Sequence, residues 1–93
     1  MKPLNLNVFR EEIDAIDSEL MDILLKRMEL SKQIAQYKQE NELPTRDRQR
    51  EIEMIEKRTQ SIEDPVLKEA LSDVLEAILK ASRDIQDHTK STK

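Results

Sequence analysis

Apolar residues recur every three or four positions from Val8 to about Asn41, and no proline or glycine interrupts the stretch. Phe9, Ile13, Ile16, Leu20, Leu24 and Ile34 fall on this repeat, which marks one face of a helix rather than a strand. The pattern predicts a first helix over about residues 6–41, after a short lead-in. At ~1.5 Å per residue such a helix is ~50 Å long. A globule built from a chain of this size has a radius of gyration of only ~12 Å. The helix outreaches the body its own chain could supply, so its seam calls for a second copy, an interlocked homodimer.

Residues 41–44, ending in Pro44, break the pattern. Thr45 follows as a candidate N-cap, and a second helix is expected over about 46–59, with Ile52, Met54 and Ile55 on its buried side. Residues 61–64 form the next connection. Asp64-Pro65 reads as an N-cap followed by proline at the first helical position. The third helix is expected over 65–87, with Leu67, Leu71, Val74 and Ile78 as its seam and a frayed polar tail over 88–93. The predicted fold is all-α, one domain over 1–93 with a long, a short and a medium helix.

Composition narrows the picture further. There is no glycine, the only aromatics are Phe9 and Tyr37, and 39% of residues are charged, so strands and tight hairpins lack their usual residues. The absence of cysteine excludes a disulfide framework and thiolate metal sites, and it fits a cytoplasmic protein. No apolar run approaches the ~20 residues of a membrane span, and the N-terminus lacks a signal-peptide core. A formal net charge of -4 argues against nucleic acid as a partner. Any anion bound here must be held by a local cluster of cations.

The segment Arg46-Asp47-Arg48-Gln49-Arg50-Glu51 carries such charges with alternating sign. Asp47, Arg50 and Glu51 are three and four residues apart and share a helix face, which could hold a polar ligand or form a solvated, salt-bridged surface. The flanking helices hold further polar residues where apolar ones are expected. The repeat 20, 24, 27, 31, 34, 38 of the first helix lands on Arg27 and Lys38. These two point within ~20° of each other, ~16 Å apart along the axis. Cations on a buried seam are costly unless an anion meets them; the alternative is that both snorkel outward. The seam of the third helix continues to Ser82, with Gln86 one turn beyond, placing two neutral hydrogen-bonding groups at the end of an apolar stripe. Together these residues describe a polar pocket suited to a small, dianionic, hydroxylated ligand. Arg10 lies ~25 Å of rise from Arg27, too far for one small ligand to bridge, so it could serve only the pocket of the other chain.

From about Val8 to Gln86 the chain resembles the all-helical class of chorismate mutases, three-helix proteins that pair into an intertwined dimer. The resemblance rests on Phe9 to Asp17, on Leu25-Lys26-Arg27-Met28-Glu29-Leu30, on Lys38, on Pro44 to Glu51, and on Ser82 with Gln86. The Arg-Asp-x-x-Arg-Glu string, with an arginine and a lysine upstream, is its most specific part. It implies that Arg27 and the second copy's Arg10 hold the substrate's two carboxylates, with Ser82 assisting. Lys38 and Gln86 would donate to the ether oxygen of the breaking bond. Asp47 and Glu51 would position the ring and its hydroxyl, and Arg50 would support Glu51. Arg46 has no assigned part. The implied reaction, chorismate to prephenate in aromatic amino-acid biosynthesis, is pericyclic and needs no nucleophile, metal or cofactor. Two readings compete: an isochorismate pyruvate-lyase of the same fold, and a non-catalytic dimeric regulatory or interaction domain. The full Arg46 to Glu51 string favours the mutase.

Overall fold

The computed structural model of the protein describes residues 5–44 and 46–91, with side chains as far as Thr89. The described residues form three helices, α1 (Leu6–Glu40), α2 (Arg48–Thr59) and α3 (Pro65–Ser91), and no strand. The all-α expectation holds. The start of the lead-in, Thr45 and the last two residues of the tail lie outside the described residues.

Local chemistry sets each helix end. Asn5 Oδ1 accepts the Val8 N–H at 3.1 Å, satisfying one of the unpaired donors at the start of α1. At the other end the Leu43 N–H donates to the Lys38 carbonyl at 2.8 Å and the Glu42 N–H to the Gln39 carbonyl at 3.3 Å. This Schellman arrangement requires a left-handed residue, and Glu42 takes the position at φ 55° in a chain that contains no glycine. α2 begins later than expected, at Arg48. Its N-cap is Asp47, whose Oδ1 accepts the Arg50 N–H at 3.1 Å. Aspartate caps better than threonine, and a donor stands three residues on. Asp64 caps α3, its Oδ1 accepting from the Val66 and Leu67 N–H groups at 2.9 and 3.4 Å. α3 then runs on to Ser91, so most of the expected frayed tail is helical. No proline or glycine follows Asp87 to stop it, and Thr89 Oγ1 bonds back to the Ile85 carbonyl at 2.8 Å.

The chain divides into two units, one ending at Leu30 and the other beginning at Ser31. The first is the leading stretch of α1. Its apolar stripe is exposed at Phe9, Ile13, Ile16 and Leu20, with Ile16 at 62%. In the second unit α2 packs on α3, and the end of α1 is tied to α3 by a hydrogen bond from Ser31 Oγ to Ser82 Oγ at 3.3 Å. The interior of the described chain is unusual. Its buried apolar residues are Ala35 and Leu79, whereas Ser31, Glu51, Thr59, Ser82 and Gln86 are buried polar ones.

The covered faces match the expected seams in part. On α3, Leu67, Leu71 and Val74 are exposed, whereas Ile78 is half-buried and Ser82 and Gln86 at the end of the expected seam are buried beside Leu79. On α2, Met54 and Ile55 are half-buried as expected, but Ile52 is exposed and the buried row is Glu51, Ile55 and Thr59. Apolar residues outnumber what one chain can cover, so a three-four repeat does not say which of two adjacent rows faces inward. Among the described residues no helix is long and apolar enough to cross a membrane.

The two capping geometries predict opposite effects on stability, measured by urea denaturation. Glu42→Gly relieves the left-handed glutamate and is expected to stabilise the protein by about 1 kcal/mol. Asp64→Ala removes both accepted bonds at the start of α3 and is expected to destabilise it by about 1 kcal/mol.

Candidate functional site

A cleft of about 470 Å³ opens in the second unit where the end of α1 meets α3. Ala35, Lys38 and Gln39 line it from α1, Glu42 to Pro44 from the connection, and Gln86 from α3. The size lies within the ordinary range for small-ligand sites, ~300–1,000 Å³. Lys38 is placed by the helix end itself, because its carbonyl takes the Leu43 N–H that closes the Schellman turn. Its side chain is half-buried, not snorkelled clear of the protein. Gln86 is 9% exposed, and its amide oxygen is buried without a hydrogen-bond partner among the described residues. A buried amide group left so costs stability, and native chains retain one mainly where a ligand or water will complete it. Lys38 and Gln86 thus present a cation and a neutral amide to the same small space.

On α2 the prominent side chain is Glu51, 9% exposed. An isolated buried carboxylate is expensive, and the fold answers with arginines. Arg83 Nη1 from α3 donates to Oε1 at 2.9 Å and to Oε2 at 3.0 Å. Arg46 Nε and Arg48 Nη1 stand 3.7 and 3.5 Å from Oε1, with side chains about half exposed. Arg48 also lies 3.9 Å from Glu76. The Arg83 contact is the short one and the only one of the three from a side chain largely out of water, so it dominates.

Of the residues expected to form a site, Lys38, Asp47, Arg50, Glu51, Ser82 and Gln86 all lie in the second unit, and Lys38 and Gln86 line the cleft. Arg10 and Arg27 belong to the first unit, Arg10 exposed and Arg27 half-buried. Asp47 uses one oxygen to cap α2, and Arg50 is exposed with its backbone N–H on that cap. Sequence reasoning missed two participants. Ser31 lies on the same repeat as Arg27 and Lys38, so its polarity was a readable signal. Arg83 is 32 residues from Glu51 in the chain and lies off the seam, and it gave no such signal. Arg46, without a part in the sequence reading, joins the cations around Glu51. Among the described residues no group of three or more His, Cys, Asp or Glu could hold a metal ion.

Comparison with known proteins bears on this arrangement. The sequence model of the chorismate mutase type II family matches residues 9–87. The T-protein of Haemophilus influenzae is 33% identical over 78 residues, covering 83% of this chain and 21% of that protein. The T-protein of Enterobacter agglomerans is 32% identical over the same length, again with 83% and 21% covered. The chain thus spans about a fifth of the length of these curated relatives. No solved structure matches it.

The geometry around Glu51 predicts an unequal response to loss of its charges. Glu51→Ala leaves Arg83 largely buried without its counter-charge and is expected to cost about 2 kcal/mol. Arg48→Ala removes a longer, solvated contact and is expected to change stability by less than about 0.5 kcal/mol. Urea denaturation of both variants checks the difference.

Proposed function

The chain belongs to the chorismate mutase type II family, and from that premise we propose that it converts chorismate to prephenate in aromatic amino-acid biosynthesis. The observation that carries the reading is the shared cleft, into which Lys38 and Gln86 bring a cation and a neutral amide. In this reaction a carbon–oxygen bond breaks while a carbon–carbon bond forms within one molecule. The protein must hold the compact, reactive conformer and stabilise the negative charge that grows on the ether oxygen. The first task is orientation. Arg27 and, from the second copy, Arg10 clamp the two carboxylates, Ser82 assists, and Asp47 and Glu51 fix the ring and its hydroxyl. The second task is electrostatic preorganisation, and it falls to Lys38 and the NH₂ of Gln86. Neither task calls for a metal or cofactor.

We further infer that the active form is a homodimer, in which a second copy covers the exposed stripe of α1 from Phe9 to Leu20. The two buried apolar side chains among the described residues cannot offset the ordering of this chain, and the exposed seams of α1 and α3 supply the missing apolar surface. The absence of cysteine and of a membrane-crossing helix among the described residues supports a cytoplasmic location.

The first test is the disappearance of chorismate followed spectrophotometrically, with products identified by chromatography. Wild type is expected to yield prephenate, and Lys38→Ala to lose a hundredfold or more, since one donor to a developing oxyanion contributes ~3 kcal/mol. No consumption of chorismate by wild type overturns the reading, and pyruvate released from isochorismate would assign the lyase instead. Gln86→Glu adds a pH signature. The carboxyl donates only when protonated, so activity of that variant is expected at acid pH and to fall as pH rises through its ionisation.

The shared site is tested by mixing. Arg10→Ala and Arg27→Ala are each expected to be inactive. After unfolding and refolding together, half the dimers are mixed and each regains one intact site, restoring about a quarter of wild-type activity. If the Arg10 side chain served its own chain's site, the mixture would stay inactive.

A further inference from the structure

We propose that Arg83 is a positioning residue for this reaction, acting on the substrate through Glu51. The inference rests on the mutase reading. Its basis is the asymmetry of the contacts on the Glu51 carboxylate. Oε1 receives Arg83 Nη1 at 2.9 Å and has Arg46 and Arg48 at 3.7 and 3.5 Å. Oε2 receives Arg83 at 3.0 Å, its one donor among the described residues. One oxygen faces three cations, and the other keeps lone-pair capacity for an incoming hydroxyl. Without Arg83 the carboxylate would be free to turn towards the two solvated arginines of its own segment.

The placement of Arg83 explains how one side chain could link α2 to the reacting groups. On α3 it lies next to Ser82 and three residues before Gln86, so Arg83 and Gln86 are neighbours on the helix surface. The ion pair therefore docks Glu51, and with it α2, beside the amide that lines the cleft. Both bonds come from the single nitrogen Nη1, which holds the two carboxylate oxygens from one point on a planar guanidinium. Arg50 was expected to support Glu51 and instead lies exposed, with its backbone N–H on Asp47.

A double-mutant cycle on the full chain tests the proposal, with kcat and KM for chorismate measured for wild type, Arg83→Ala, Glu51→Gln and the double variant. Arg83→Ala is expected to lower kcat/KM about ten- to a hundredfold, the scale of a misplaced orienting group. The same substitution in the Glu51→Gln background is expected to cost less than about twofold, because the carboxylate it acts on is already gone. Arg83→Lys should recover part of the loss while leaving KM and kcat short of wild type. Equal losses in the two backgrounds would overturn the proposal, giving Arg83 a substrate contact or a folding role of its own. A lowered melting temperature with unchanged kcat/KM would also overturn it, leaving a purely structural pair. Wild type inactive on chorismate would be a different failure, that of the mutase reading itself, and would take this proposal with it.

Discussion

Among its described residues the chain buries more polar side chains than apolar ones, and the rest of its structure has to be compatible with that. Ala35 and Leu79 are its buried apolar residues among those described, against five polar ones. The apolar stripes of α1 and α3 are meanwhile in solvent. A fold driven by burial of apolar area cannot stop in that condition. The proposed second copy resolves it, covering the stripes from outside while the polar interior is left for chemistry. On this view the polar interior and the exposed seam have one origin: apolar area is spent between copies, so the space between helices of one copy can be given to a ligand.

Two local devices place the groups that line that space. The Schellman turn at the end of α1 fixes the Lys38 carbonyl and accepts a left-handed glutamate to do so. Such strain, of order 1 kcal/mol, is tolerated beside the cleft. The second device is the Glu51–Arg83 pair. Of the three arginines near this carboxylate, two are half in water and therefore screened, and the third is short, doubly bonded and largely buried. Desolvation makes such a pair neutral to stability on balance but strongly orienting, and orientation is what the proposed pericyclic reaction requires of its protein.

The sequence by itself determined the helices and many of the candidate site residues. The three-four repeat, the lack of glycine, and Asp64-Pro65 are local facts, and they fixed three helices and the start of α3. Lys38, Ser82 and Gln86 were legible because each interrupts or ends an apolar row, and Arg27 for the same reason. Only the tertiary structure decided which part of α3 is covered within one chain, since Leu67, Leu71 and Val74 are as apolar as Leu79. It also decided that Asp47 caps α2, that Ser31 meets Ser82 across 51 residues, and that Arg83 rather than Arg50 holds Glu51. Periodicity reports the direction of a side chain around its own helix axis, but a partner on another helix depends on how the helices are docked, and that carries no trace in the spacing of either one.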